Sequence, residues 1–183
     1  MITEEGTSRR LTHGEINISG SLFQNAIDYR RVRVHHGGYF PFGLQNADTA
    51  VTPNGEMYWP TKHYKEDFTK SQDDTYKYQW WFIHEMTHVW QYQMGMNVRT
   101  RGLISWAVEY KYSLPLDYTL ADYPMEQQAS IIADYFTLRD FGLNVWLRNK
   151  LFNGIAGPDL LNKYKSILIW FLNDPRDRRC LWK

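Results

Sequence analysis

Residues 80–92 read WWFIHEMTHVWQY, and this stretch sets the requirements that the rest of the chain must meet. His84 and His88 are four residues apart, so on a helix they project from one face, and Glu85 directly follows the first. The other positions are aromatic, apolar or uncharged, which makes the helix too apolar to lie on the surface. Burying two imidazoles and a carboxylate is costly unless a partner compensates them. A metal ion is such a partner.

The spacing is the HExxH pattern of zinc hydrolases. In this pattern the two imidazoles bind zinc, and the carboxylate reaches the attacking water rather than the ion. That carboxylate takes a proton from the water and later delivers it to the leaving amine. The sequence therefore predicts a Zn²⁺ cofactor with His84 and His88 as ligands and Glu85 as the catalytic residue. The alternative is a pair of hydrogen-bonded core histidines beside a half-exposed Glu85.

A catalytic zinc takes three protein ligands, so a third must come from elsewhere in the chain. One extended form of the pattern places a histidine six residues after His88, but Met94 stands there. Glu126 is the best placed candidate, because it opens a helix whose apolar face must pack against the same core. Its alternative role is an ordinary first-turn glutamate that favours the helix N-terminus. Weaker competing ligands, in strand ends or loops without a partner at metal spacing, are His35, His36 and His63.

Two supporting roles are expected around such a metal. Asp134 lies two turns after Glu126 and is predicted to orient one histidine through its other ring nitrogen. A donor that stabilises the oxyanion of the tetrahedral intermediate is also expected. The sequence does not choose between its candidates, which are Tyr110, Tyr123, Tyr135 and His63. The eight tryptophans offer walls for a cleft, although such rings are more often core.

Three long helices are predicted from apolar spacing and from end signals. The first runs from about residue 76 to 93 without Gly or Pro, can be capped by Asp74 or Thr75, and stops near Gly95. The second covers residues 125–141, MEQQASIIADYFTLRDF, and is closed by the glycine that follows. The third covers residues 158–172, opens on a Pro-Asp pair and ends before Asp-Pro.

The N-terminal third is predicted to hold a short helix followed by a small sheet. The helix lies within residues 12–28, and residues 31–36, RVRVHH, alternate in the manner of a strand. Residues 50–59, AVTPNGEMYW, place Pro-Asn-Gly between two short β-prone pieces and predict a hairpin. Residues 60–75 are polar and irregular, which indicates a surface loop. Residues 103–118 are ambiguous between strand and helix.

Length and composition limit the possible classes. A chain of 183 residues is long enough for one sizeable core and too short for two, so we expect a single domain over residues 1–183, of α+β class. Lys and Arg number 21 against 20 Asp and Glu, which argues against a nucleic-acid partner. The single cysteine, Cys180, excludes an internal disulfide. No apolar run is long enough for membrane insertion, and the start MITEEGTSRR lacks the apolar segment of a secretory signal peptide.

Three segments together resemble a known family. They are LTHGEINISGSLFQNAIDYRRVRVHHGGYFPFGLQNADTAVTPNGEMYW, FIHEMTHVWQYQ and DYPMEQQASIIADYF. They look like the zinc metallopeptidase toxin domain, HExxH and gluzincin-like, found fused to or beside VgrG spike proteins of bacterial type VI secretion systems. The resemblance covers roughly residues 11–140. It implies a zincin-like fold in which His84, His88 and Glu126 hold zinc and Glu85 is the catalytic acid and base.

The resemblance also implies a biological setting. The chain would be an antibacterial effector, delivered without a signal peptide by type VI secretion to the periplasm of target bacteria. Its partners would be the secretion spike, a cognate immunity protein and a protein or peptide substrate. By analogy with zincins, the hairpin at residues 50–59 would pair with an extended substrate through backbone groups. Two rivals to a peptidase stay open: an amidase that cuts peptidoglycan stem peptides, and a zinc-holding docking module of the spike without turnover.

Overall fold

The structure, a computed structural model, describes residues 2–39, 48–70, 74–98, 110–149 and 151–181. Three short strands and one helix fill the N-terminal part of these ranges, and the remaining helices follow, which confirms the predicted α+β class with a small N-terminal sheet. The elements in chain order are β1 (Ser8–Arg10), α1 (His13–Phe23), β2 (Arg33–His36), β3 (Met57–Trp59), α2 (Thr75–Gln93), α3 (Met125–Phe141), α4 (Leu143–Asn149), α5 (Leu160–Ile167) and α6 (Ile169–Asn173).

The sheet has the order β1-β2-β3. Strand β2 is antiparallel to β1 and parallel to β3, with Val34 opposite both Arg9 and Met57. The predicted hairpin at residues 50–59 is present in a reduced form, because one residue, Val51, pairs with β3. Val51 donates to the Tyr58 carbonyl at 3.2 Å and accepts from the Tyr58 N–H at 2.9 Å. The sequence pattern does not predict β1, since three residues are too few to show alternation.

Helix α2 confirms the predicted first long helix to within one residue at its start. Asp74 precedes it, but its side chain makes no capping hydrogen bond, contrary to one of the two predicted caps. Gly95 follows the helix with φ +96°, a left-handed conformation that glycine adopts without strain. Every residue from Phe82 to Gln91 is buried, so the HExxH stretch lies inside the protein.

Helix α3 has the bounds predicted from the sequence and ends at Gly142, whose φ is +80°. It packs along α2 in the largest contact between two elements of the described structure. The buried Ser130 hydroxyl donates to the Glu126 carbonyl at 3.0 Å, so this polar group inside the helix is satisfied. The packing of α3 on α2 places the first turn of α3 opposite the two histidines.

The third predicted helix is divided into α5 and α6. Leu168, between them, has φ −89° and ψ 11°, which interrupts the helical conformation. Helix α6 ends before Asp174, as predicted. Helix α4 was not predicted.

Buried apolar side chains from the sheet, α1, α2, α3 and the C-terminal helices form one core cluster. The predicted surface loop contributes to it: residues 60–70 contain no helix or strand, yet Phe68 is fully buried. The Phe68 N–H donates to Glu15 at 3.1 Å, and this buried carboxylate also pairs with Arg9 at 2.8 Å. The loop prediction is wrong for Phe68, because this contact draws the chain into the core.

Two further sequence predictions meet the limits of the described ranges. Residues 71–73 of the predicted loop and residues 103–109 of the ambiguous segment lie outside them. In the remainder of that segment Tyr112 forms a single parallel bridge with Phe152. None of the helices in the described ranges has the length and apolar character needed to cross a bilayer.

Candidate metal centre

The structure brings together the three residues predicted as metal ligands. His84 and His88 lie one turn apart on α2, and Glu126 lies in the first turn of α3. Glu126 Oε2 is 3.2 Å from His84 Nε2 and 3.2 Å from His88 Nε2. One ligand atom from each residue lies within 4.8 Å of the other two. All three side chains are buried.

These separations can be compared with what a single ion requires. Two donor atoms that each lie about 2.0–2.1 Å from one tetrahedral ion are about 3.3 Å apart. The carboxylate oxygen of Glu126 stands at 3.2 Å from each imidazole nitrogen, which is close to that value. Two imidazoles and one carboxylate form the donor set of many catalytic zinc sites, and other divalent transition metals bind similar sets. The residues therefore fit such an ion with a fourth position left open.

The charges around these atoms also suit a cation. Burial lowers the pKa of His88, but the carboxylate of Glu126, and then that of Glu85, outweighs burial and raises it to about 9. Burial raises the pKa of Glu126, yet the neighbouring imidazoles of His88 and His84 hold it well below its usual range. Two buried carboxylates thus act on one small volume, which favours positive charge there.

The second ring nitrogen of His88 is held by Gln91. His88 Nδ1 lies 2.8 Å from Gln91 Oε1, and Gln91 Nε2 donates to the Met125 carbonyl at 3.0 Å and to Gln128 Oε1 at 2.9 Å. Because the amide oxygen only accepts, His88 carries a proton on Nδ1, and Nε2 is the nitrogen that can bind a metal ion in exchange for its own proton. This role of Gln91 was not predicted from the sequence, although a glutamine three residues after a histidine on a buried helix is a usable signal.

The second ring nitrogen of His84 has a different environment. Its Nδ1 has no hydrogen-bond partner in the described part of the chain. The indole of Trp80, one turn earlier on α2, stacks on the imidazole with ring centroids 5.4 Å apart. Asp134 Oδ1 accepts from Trp80 Nε1 at 2.7 Å. The prediction that Asp134 orients a histidine directly is therefore wrong, because its carboxylate accepts from the indole N–H of Trp80 instead, and the Trp80 ring packs on His84.

Glu85, the predicted catalytic carboxylate, is buried rather than half-exposed. Its Oε2 accepts a hydrogen bond from the Thr52 hydroxyl at 2.6 Å. Thr52 lies between Val51, which pairs with the sheet, and Pro53. Thr52 was not predicted as a site residue, since no local pattern links it to Glu85, which lies 33 residues further along the chain.

A cavity of about 320 Å³ opens beside these residues. The two histidines, Glu85 and Glu126 lie along it, and residues 48–53 form one side. Its remaining walls are mostly apolar and include Trp80, Trp81, Val98, Tyr110 and Met125. Trp80 and Trp81 thus line a cleft, whereas Trp59, Trp90 and Trp146 are fully buried in the core.

Comparison with known proteins places the chain in a family. No family model matches the chain. It is 38% identical over 137 residues, 70% of its length, to the type VI secretion system spike protein VgrG2b of Pseudomonas aeruginosa. The match spans 13% of that much longer protein. The solved effector domain of Pseudomonas aeruginosa VgrG2b superposes with a TM-score of 0.65 at 32% identity, over 82% of this chain and 87% of that one. The chain belongs to the VgrG2b effector-domain family.

Membership of the VgrG2b effector-domain family confirms the type VI secretion part of the resemblance seen in the sequence. The 87% cover of the solved domain shows that the likeness extends over nearly the whole of that unit. The fold described above is accordingly that of a VgrG2b-type effector domain.

Of the four oxyanion-donor candidates, Tyr110 is the one that the structure of this VgrG2b-type domain places at the cavity. Its ring centroid is 6.3 Å from that of His84. Burial, assisted by the carboxylates of Glu126 and Glu85, raises the pKa of Tyr110 to about 12. The phenol therefore keeps its proton at neutral pH and is able to donate it.

The other candidates are engaged elsewhere. The Tyr123 hydroxyl donates to the Ser113 carbonyl at 2.7 Å, and Tyr135 packs against Tyr164. His63 Nε2 lies 3.1 Å from Asp48 Oδ1. These contacts leave Tyr110 as the donor candidate at the site.

The remaining histidines considered as ligands do not join the cluster. His35 Nε2 lies 2.6 Å from Glu56 Oε2, and His36 Nδ1 lies 2.8 Å from the Thr3 carbonyl. Both belong to β2 and stabilise contacts around the sheet. Within the described residues, the ligand atoms of His35, His36 and His63 do not group with those of His84 and His88, whereas that of Glu126 does.

Asp134 has a raised pKa in this buried environment. Its Oδ2 accepts from the Tyr112 hydroxyl at 2.5 Å and from the Leu151 N–H at 3.2 Å, in addition to the Trp80 bond. Burial nevertheless outweighs these donors and raises the pKa of Asp134 from 3.8 to about 6. The folded chain thus binds this proton more tightly than the unfolded chain does.

Replacing Asp134 with asparagine should remove a pH dependence of stability. The protonated carboxyl of Asp134 stabilises the folded protein. This contribution to the free energy of unfolding is fully present below pH 3.8 and is lost as the pH rises through about 6. Between about pH 5 and about pH 7.5, the free energy of unfolding of the parent should fall by about 1 kcal/mol relative to the variant. Urea unfolding of both metal-free proteins measures this. Asp140→Asn, on the surface of the same helix, is the control; a pH-independent difference for Asp134→Asn would contradict the assignment.

Proposed function

We propose that this VgrG2b-type effector domain is a zinc-dependent peptidase with a zincin-like fold, formed by residues 1–183 as one domain. The observation that carries the proposal is the position of Glu126 Oε2, which lies 3.2 Å from Nε2 of His84 and 3.2 Å from Nε2 of His88 on a buried HExxH helix. Glu85 lies beside this trio on the cavity but is not part of it. Three ligands, an adjacent carboxylate and a cavity are the components that metal-assisted hydrolysis requires.

In this proposal His84, His88 and Glu126 hold the ion. When bound there, zinc supplies Lewis acidity that polarises a carbonyl and lowers the pKa of water. Glu85 removes a proton from the attacking water and delivers it to the leaving amine. Tyr110 donates a hydrogen bond to the oxyanion that forms on the substrate carbonyl.

The sheet edge provides a place for the substrate backbone. Val51 directs both its N–H and its C=O to Tyr58, so the backbone groups of its neighbours Ala50 and Thr52 point the other way. Ala50 and Thr52 also line the cavity. An extended peptide can pair with these groups, as in strand addition to a sheet edge. The apolar walls then favour a peptide with a bulky apolar side chain near the cleaved bond.

The setting proposed for the activity follows the relatives. VgrG2b is named a type VI secretion spike protein, and the solved relative is named its effector domain. We infer that this chain associates with a secretion spike and is delivered to the periplasm of target bacteria. There it would cut a protein or peptide substrate, and the producing cell would hold a cognate immunity protein.

The proposal is tested with a defined mixture of substrates. The zinc-loaded protein is incubated with a peptide pool made by digesting a bacterial proteome, and new termini are identified by mass spectrometry. We expect cleavage at a limited set of sites that requires zinc and stops when a chelator is added. Release of soluble muropeptides from purified sacculi, without cleavage in the pool, would indicate the stem-peptide amidase instead. No hydrolysis of either material would favour the docking module.

Tyr110→Phe should lower kcat about a hundredfold on the best-cleaved peptide, because one oxyanion donor is lost. KM should change little, since the hydroxyl acts on charge that develops only in the transition state. Steady-state kinetics measure both constants. Tyr118→Phe, at a half-exposed tyrosine outside the cavity, is the control. An unchanged kcat for Tyr110→Phe would remove this residue from the mechanism.

A further inference from the structure

We infer that Thr52 is a positioning residue for Glu85, and that it couples the strand which receives the substrate to the group that moves the proton. This inference rests on the proposed function for the role of Glu85. The Thr52 hydroxyl donates to Glu85 Oε2 at 2.6 Å, and both side chains are buried, at 4% and 3% exposure. In the described part of the chain, this bond from Thr52 is the hydrogen bond that the Glu85 carboxylate accepts.

A glutamate side chain needs such a contact to act as a base. Three torsions separate its carboxylate from the backbone, and orientation of a catalytic group within a fraction of an ångström contributes a large part of its rate. The flanking helix residues Ile83, Met86 and Val89 are apolar and offer no donor. One bond from Thr52 fixes one carboxylate oxygen and leaves the other available for the attacking water.

Thr52 is itself held firmly by its neighbours. On one side Val51 forms two backbone hydrogen bonds with Tyr58, and on the other Pro53 has a fixed φ. Three residues on, Gly55 has φ +75°, and a Cβ there would lie 2.4 Å from the ring of Tyr92. The turn therefore packs closely against α2. Thr52 contacts α2 at Glu85, and Gly55 contacts it two helical turns later, at Tyr92.

The same residue takes part in both functions of this turn. Its side chain holds Glu85, while its backbone groups lie on the side of the strand that faces away from Tyr58 and toward the cavity. A peptide bound along that strand is thereby placed in register with the base. A residue serving only to stabilise the turn would not need a hydroxyl directed at the carboxylate.

Two variants separate these roles. Thr52→Val keeps the shape and removes the hydroxyl, whereas Thr52→Ser keeps the hydroxyl and removes the methyl group. On a synthetic peptide taken from the best-cleaved site of the pool, Thr52→Val should lower kcat about 10- to 100-fold with KM changed less than about threefold. Thr52→Ser should stay within about threefold of the parent in kcat. Thr52→Ala replaces the valine variant if that protein does not fold.

A second measurement needs no substrate. Urea unfolding of the parent, Thr52→Val, Glu85→Ala and the double variant forms a double-mutant cycle. Thr52→Val should lower the folding equilibrium constant about tenfold when Glu85 is present and much less when it is alanine. Additive effects in this cycle, or equal kcat values for the valine and serine variants, would overturn the role of Thr52. Coupling in a parent that cleaves no peptide would support the contact and overturn the proposed function alone.

Discussion

Glu85→Gln should abolish peptide cleavage while the protein keeps its metal. Glu85 is not among the three residues whose ligand atoms converge, so its replacement leaves the donor set intact. Glutamine retains a carbonyl oxygen that can accept the Thr52 hydroxyl, which preserves the local packing. It cannot take a proton from water, and loss of a general base lowers a rate by about 10²- to 10⁴-fold. Initial rates on the peptide pool and metal content by elemental analysis measure the two effects.

The matched control is Glu66→Gln, which makes the same chemical change at an exposed carboxylate that pairs with Thr3. It is expected to cleave at the parental rate. The result has a cellular counterpart, because Glu85→Gln directed to the periplasm should no longer inhibit growth. A Glu85→Gln protein that is as active and as toxic as the parent would refute the proposed mechanism.

Removing a metal ligand should lower zinc affinity as well as activity, whereas removing the base should lower activity alone. His88→Ala and Glu126→Ala each take away one of the three converging atoms. Even partners that only support a ligand change metal affinity by about 10- to 100-fold, so a lost ligand should cost about a hundredfold or more. Activity should fall together with affinity. Competition with a chromophoric zinc chelator gives the affinity, and circular dichroism verifies that each variant is folded.

Gln127→Ala is the control for Glu126→Ala. Gln127 is the next residue on α3, and its side chain donates to the Lys111 carbonyl outside the metal trio. Its replacement should leave zinc affinity within about threefold of the parent value, as for a surface change away from the ligands. Zinc affinity that survives both His88→Ala and Glu126→Ala would show that the ion binds elsewhere.

The sequence predicts those elements whose signals are local. Helices α2 and α3 are long, carry apolar spacing, and are followed by Gly95 and Gly142 with positive φ, so their bounds could be predicted closely. Strand β1 has three residues and is defined by its pairing with β2, which a local pattern does not contain. The burial of Phe68 likewise depends on Glu15, a residue 53 positions away.

The same distinction holds within the site. His84 and His88 follow from helical spacing, and Glu126 follows because α3 has a definite first turn. Thr52 could not be predicted in this way, since its contact with α2 depends on how the N-terminal turn packs. Asp134 was predicted in the right region with the wrong partner, because spacing along α3 does not reveal which α2 side chain meets it.

The amide chain behind His88 extends to the last turn of the described chain. Gln91 bonds to Gln128, and Gln128 Nε2 in turn donates to the carbonyl of Leu181 at 3.0 Å. Three hydrogen bonds in series, from His88 to Gln91, to Gln128 and to Leu181, thus connect a ligand imidazole to the last turn of the described chain. Without Leu181 the Gln128 amide loses one of its acceptors, so the hydrogen bonds behind His88 lose one of their supports.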